Sequence, residues 1–166
     1  MRGGIGYQIT EIFNKSGIFK PGTSKHSAKA ESGANGSKTS HEVSKDLFIY
    51  SYATAKTYKD VWHRFGKFLS NTLAVNDIEK IAELHVIEYL EHRINCGISY
   101  DTYAVETAAL HKFEKALNLY SDKFAKGNKY DFEAVIKSTA DIAREELLSI
   151  ELSRAYRNPE TVLKNM

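Results

Sequence analysis

The sequence predicts an all-α fold, a bundle of four to five helices preceded by a flexible basic arm. Three observations carry this. From residue 39 onward, apolar residues recur at steps of three and four in segment after segment, the repeat of one helix face. Nowhere do apolar and polar residues alternate with the period of two that a half-buried strand requires, and there is no internal repeat. Seven of the ten glycines fall within residues 1–38, where little else can build a core. These observations divide the chain into an arm at 1–38, a helical domain at 39–127, and a further helix with a linker at 128–166.

In the arm, Arg2, Lys15, Lys20, Lys25 and Lys29 face a single acid, Glu11, over the first 30 residues. A solvated tail and an arm that tracks a polyanion both fit this composition. Only Tyr7–Phe13 is apolar enough for a short helix or strand. Thr39 with Glu42 three residues later has the form of a capping box, so a short helix runs to about Leu47. Ser51 or Thr54 then caps a central helix that ends near Asn71–Thr72. Tyr58, Val61, Trp62, Phe65, Phe68 and Leu69 lie on one side of it. Gly66 costs about 1 kcal/mol relative to Ala in a helix interior, and close packing against a neighbour is the favoured reason for it.

Asp77 opens a turn, and the next helix spans Glu83 to Asn95, burying Val86, Ile87, Leu90 and Ile94. Gly97 stands where a left-handed C-terminal residue belongs. Ser99 caps a third long helix with Tyr103, Leu110, Phe113, Leu117, Tyr120 and Phe124 in register, and Gly127 and Asn128 end it. Alanines at 104, 108, 109 and 116 let another helix approach closely. A fourth helix covers about Asp131 to Leu152, with Phe132, Val135, Ile136, Ile142, Ala143, Leu147 and Ile150 inward. Asn158 and Pro159 have the pattern of a last helix start.

Size and charge set limits on function. The 166 residues, 42% of them hydrophobic, suffice for one core. A net charge of +2 does not announce a nucleic-acid partner, so any such case rests on where the charges lie. The single cysteine, Cys96, forms no internal disulfide, fits a reducing compartment, and is expected to be half-buried. No leader-like apolar segment follows Met1 and no long apolar run occurs, which predicts a soluble, intracellular protein.

The pattern searches for catalysis come up empty. There is no phosphate-cradling glycine loop, no paired-cysteine metal site, no HExxH and no nucleophile elbow. Histidines 26, 41, 63, 85, 92 and 111 are dispersed, so no metal or cofactor is expected. A binding reading has more behind it. Lys56, Lys59, His63 and Lys67 recur on the outward side of the central helix, able to meet successive phosphates or enter a groove about 12 Å wide. An ordinary solvated face would look the same. At the start of the third long helix, Ser99, Tyr100, Thr102 and Tyr103 surround free N–H groups that favour phosphate. Capping by Ser99 and core packing by Tyr103 would also explain two of them.

The run SYATAKTYKDVWHRFGKFL, followed by DIEKIAELHVIEYLEHRINCGISYDTYAVETAALHKFEKALNLY, resembles the core-binding, SAM-like domain of phage-integrase-type tyrosine recombinases. The likeness lies in Thr-x-x-x-Tyr before a Trp/Phe-rich helix, a DIEKI turn, HVIEYLEHRI, and GIS-x-x-T opening a long helix. Upstream, SKHSAK and KTSHEVSKDLFIYSYAT resemble the lead-in of integrases carried by mobile elements. The resemblance implies a DNA-binding half-clamp for integration and recombination at a double-stranded core site, with its first and third long helices toward the major groove. On that reading Thr54, Lys56, Lys59, His63 and Lys67 of the first helix, and Ser99, Thr102 and Lys112 of the third, contact DNA; Tyr100 joins them from its own place at the start of the third helix.

The resemblance further implies a bacterial cytoplasmic protein, at the nucleoid when bound, that forms homo-oligomers on DNA through the full-length recombinase. The family's His-x-x-Arg signature is missing: the residues three after each histidine are Lys29, Ser44, Gly66, Glu88, Asn95 and Glu114. Tyr156 lacks the context of the nucleophile. The chain is therefore expected to be no enzyme as it stands, with RNPETVLKNM leading toward a catalytic domain that it lacks. Two other classes remain open. One is a freestanding helical regulator, for which no compact helix-turn-helix is visible. The other is a helical protein-interaction adapter without nucleic-acid binding, favoured by the slightly acidic segment 128–166.

Overall fold

In the computed structural model, which describes residues 1–34, 36 and 38–156, the chain is all-helical. Its elements are α1 (Ile5–Ser16), α2 (Lys25–Gly33), α3 (Ser40–Asp46), α4 (Tyr52–Thr72), a 3₁₀ turn (Ile78–Lys80), α5 (Glu83–Asn95), α6 (Tyr100–Lys123) and α7 (Glu133–Tyr156). Among the described residues the only extended pairing is one parallel bridge, Phe19 with Ile49. The expected cap at Asn158 and Pro159 lies outside the described residues.

The helix starts follow from hydroxyl and carboxylate side chains that accept from otherwise unpaired N–H groups. Thr39 and Glu42 form the full capping box of α3, while Ser51 accepts from Thr54 and Ser99 from Thr102. Gly97, with φ of +70°, closes α5 in the left-handed conformation.

Within residues 1–38, expected as a flexible arm, the first helix instead belongs to the core. Ile9, Ile12 and Phe13 of α1 are buried in the common core, with Ile5 packed against it. Their spacing of three and four makes one apolar stripe, and that stripe outweighs the surrounding glycines. Gln8, also fully buried, donates from Nε2 to the carbonyls of Gly3 and Asn76 at 2.8 and 2.7 Å, and its Oε1 accepts from the Ile78 N–H at 2.8 Å. A buried amide satisfied on both ends costs nothing in unpaired polar groups and fixes α1 against the turn after α4. The helix crosses α4 at Gly66, where an added Cβ would stand 2.5 Å from Ile9 Cδ1. Close packing is thus the reason for that glycine.

Around α4 the core is aromatic. Trp62 stacks on Phe113 of α6 at 4.8 Å between ring centroids and donates its indole N–H to the Ala109 carbonyl at 2.7 Å. The small residues Ala109 and Ala116, fully buried, let α6 lie close to its neighbours. On α5 the buried side is Val86, Tyr89, Leu90 and Ile94, with Ile87 only partly covered. Against α5 and α6 packs α7, through Val135, Ile136, Ala143 and Leu147, and the Tyr103 hydroxyl hydrogen-bonds Thr139 across this joint at 2.8 Å. Ile142, expected inward, is exposed. Cys96 is exposed as well, beside His92, and not half-buried: it follows the last turn of α5, clear of the packed side.

The pair α2–α3 forms an excursion between Phe19 and Ile49. No residue of α2 is buried. Ser32 donates to Asp46 at 2.7 Å, joining the two helices, and Lys45 pairs with Glu133 of α7.

Candidate nucleic-acid interface

The nine residues expected to contact DNA do not converge on one spot. Lys56, Lys59 and His63 line a groove between α1 and α4 whose walls include Phe13, Phe19 and Tyr52. Lys56 is exposed, its nearest carboxylate being Asp60 one turn on at 3.8 Å, and Lys67 is exposed farther along α4. Lys59 is half-buried, its ammonium 4.6 Å from the centroid of the Phe13 ring, a contact that lets a cation rest on an aromatic face. Burial first, then the charge of Lys59, holds His63 below the usual imidazole value, with Lys67 adding to this and Asp60 opposing it. His63 is therefore neutral at pH 7, a hydrogen-bonding group and not a third cation.

Thr54 and Lys112 belong to a separate cleft beneath α3. Thr102 lines a third groove, between α4 and the first turns of α6. Ser99 is engaged in capping, its hydroxyl 2.8 Å from that of Thr102, and Tyr100 is half-buried beside the buried ring of Tyr103.

Lys112 is committed to the fold. Its ammonium donates to the carbonyls of Ser44 and Leu47 at 2.9 and 2.7 Å, and one turn on Lys115 donates to those of Lys45 and Asp46 at 3.0 and 3.1 Å. Together they satisfy the C-terminal end of α3, where unpaired carbonyls and the helix dipole attract positive charge. Burial, with the charge of Lys115 beside it, lowers Lys112 to about 8. Farther along α6, Lys123 does the same for α1 through the Lys15 carbonyl at 3.1 Å. Lys112→Met is expected to cost about 1.5–3 kcal/mol, in keeping with the loss of charge-assisted hydrogen bonds. Amide exchange should quicken in α3, while the salt dependence of any DNA binding stays as it was; the same exchange rates in the variant would refute this capping role.

The least exposed charge among the described residues was missed from sequence. Glu106 of α6 has a side chain only 1% exposed. Its carboxylate accepts from Tyr89 at 2.5 Å, from Arg93 Nε at 3.0 and 3.2 Å, and from Arg64 Nη1 at 3.3 Å. Burial, followed by the hydrogen bond and charge of Glu106, pushes the Tyr89 hydroxyl far above its ordinary value. A buried carboxylate persists only if paired and hydrogen-bonded, and here α4, α5 and α6 each supply part of the set. One clue lay in the sequence, since Glu106 follows Tyr103 by three residues on the apolar side of its helix.

Among the described residues no group of His, Cys, Asp and Glu is placed to hold a metal ion, and no helix is long and apolar enough to cross a membrane.

Two long helices side by side, joined through a 3₁₀ turn and a shorter helix, form the part of the chain from α4 to α6. Residues 49–119, which take in this part except for the end of α6, match the family described as phage integrase, N-terminal SAM-like domain. Over this span the chain is similar to the N-terminal SAM-like domain of phage integrases. Both α1 and α7 lie outside the matched span. No curated protein and no solved structure matches the chain.

Proposed function

We propose that this chain binds duplex DNA as the core-binding half of a site-specific tyrosine recombinase, acting in DNA integration and recombination. The observation that carries this is the family match itself, which falls on the segment whose long helices, α4 and α6, present the exposed polar residues. Lys56 and Lys67 supply exposed charge for phosphates, with Lys59 reaching out from its aromatic seat. Thr54, Ser99, Tyr100 and Thr102 stand at helix N-termini, where backbone N–H groups favour phosphate. His63 contributes a hydrogen bond, and Lys112 acts by holding α3 in place. We assign strand cleavage to a separate catalytic domain, since the chain has no His-x-x-Arg. On this reading the protein works in the bacterial cytoplasm, at the nucleoid when bound, and assembles on paired sites through the full-length recombinase. Its DNA-gripping unit extends beyond residues 39–127, because α1 is part of the same core.

Fluorescence anisotropy with a mixed-sequence duplex of roughly 30 base pairs, titrated at several salt concentrations, tests the proposal. Binding should weaken by roughly 0.9 log units per phosphate contact for each log unit of salt. Replacing Lys56, Lys59 and Lys67 together by Ala should leave helicity unchanged and flatten that slope by up to about 2.7. An unaltered slope would move the contact surface elsewhere.

A second reading has one observation in its favour. Ile142, Leu148 and Leu152 of α7 are exposed large apolar residues on a helix that also carries Glu145 and Glu146, as a protein-binding adapter would have. Absence of DNA binding even at low salt would favour the adapter.

A further inference from the structure

Between α4 and the first turns of α6 lies a groove of about 360 Å³, lined by Thr57, Asp60 and Arg64 on one side and Asp101, Thr102 and Val105 on the other. Glu106 reaches its edge from within. Arg93 and Tyr89 alone give the Glu106 carboxylate a countercharge and three short contacts, from 2.5 to 3.2 Å. Arg64 adds one longer contact of 3.3 Å through a single nitrogen, and its side chain is 47% exposed. A guanidinium carries five N–H donors in a rigid planar fork. Arg64 is thus anchored by one corner, with most of its donors left to the groove.

The rest of the lining decides what such a fork would meet. Asp60 and Asp101 repel a phosphate but accept from an amino group. In the major groove, arginine matches guanine O6 and N7, a carboxylate matches the cytosine amino group, hydroxyls such as Thr57 and Thr102 serve either role, and a small apolar group such as Val105 meets the thymine methyl. These groups suit base edges better than backbone.

We propose that Arg64, held at one nitrogen by Glu106, reads a guanine through the groove between α4 and α6. The inference rests on the duplex-DNA reading above and adds a base-reading surface distinct from the lysines. The contact at one nitrogen spares part of the side-chain freedom that Arg64 would otherwise lose on binding.

The test selects binding sites from a pool of randomised duplexes with the full chain, then replaces each recurring guanine by 7-deazaguanine, which lacks the N7 acceptor. Selected sites should share a guanine, and its replacement should weaken binding by about tenfold, within the range for a bidentate arginine–guanine pair. Arg64→Lys keeps the charge but not the fork. This variant should keep the salt slope, lose the guanine from its selected sites, and bind the normal and 7-deazaguanine duplexes equally. If no guanine recurs, if wild type is indifferent to its replacement, or if Arg64→Lys selects the same guanine, the proposal is overturned while the DNA-binding reading stands. If wild type binds no duplex at low salt, both fall. The base-analogue arm uses unaltered protein, so it decides the question even if the variant does not fold.

Discussion

Glu106→Ala is expected to destabilise the fold by about 3–5 kcal/mol, the usual cost of removing one partner from a buried ion pair. The substitution leaves the Arg93 guanidinium, with a side chain 19% exposed, without its carboxylate. It also takes the acceptor from the Tyr89 hydroxyl and opens a void between three helices. Most of the loss comes from the stranded groups and not from the vanished attraction, since a buried donor without an acceptor keeps its full desolvation cost. Arg64→Ala provides the contrast. Its removal leaves Glu106 bonded to Arg93 and Tyr89, so a change within about 1 kcal/mol is expected, as for a half-exposed ion pair. Urea unfolding followed by circular dichroism compares the two; equal midpoints for Glu106→Ala and wild type would show that the cluster does not hold the helices together.

Ile9→Ala should cost about 2–5 kcal/mol, the range for truncating a fully buried aliphatic side chain. A residue in a solvated arm would cost almost nothing, so this one number separates the two views of the N-terminal segment. Gly66 gives the test a second dimension. In an ordinary helix Gly66→Ala would gain about 1 kcal/mol in propensity, but here the new methyl meets Ile9 Cδ1 at 2.5 Å. Ile9 is completely buried and has little room to turn aside, so overpacking of about 1–3 kcal/mol outweighs the gain. Once Ile9 is Ala the obstacle is gone. In that background Gly66→Ala should stabilise, and the double variant should stand above the sum of the singles by about 1–3 kcal/mol. Strict additivity in thermal melts would mean that α1 does not ride on Gly66.

The contrast between these two sites shows how much could be read without coordinates. Helices α3 to α7 declare themselves through local chemistry: Thr39 with Glu42, Ser51, Ser99 and Gly97 mark their ends, and the apolar steps between mark their inner sides. The family resemblance also rests on local order, and it was legible over the segment that matches. Partners distant in sequence were not. Ile5, Ile9 and Ile12 form a clear stripe, but the surrounding glycines masked it, and only the crossing at Gly66 explains both at once. Lys112 looks like any solvated lysine until α3, more than 60 residues earlier, is folded against it. Glu106 reads as one more helix carboxylate because the arginines that neutralise it come from two other helices. Of the expected contact residues, those on exposed turns could be placed from periodicity, whereas their separation into three clefts depends on how α1 and α3 cover α4 and α6.

The bridge between Phe19 and Ile49 has an evolutionary consequence. It pins together the two ends of the α2–α3 excursion, through Ile49 N–H to the Ile18 carbonyl at 2.9 Å and Lys20 N–H to the Ile49 carbonyl at 2.8 Å. While α3 stays docked through Lys112 and Lys115, the route taken by α2, which buries no residue, is nearly decoupled from the core, because the entropy of closing a loop grows only with the logarithm of its length, about 0.6 kcal/mol for each doubling. Relatives can lengthen, shorten or rewrite this stretch at little thermodynamic cost so long as the two strand-like ends persist. That part of the excursion is where such proteins are free to diverge, and the bridge is what gives them that freedom.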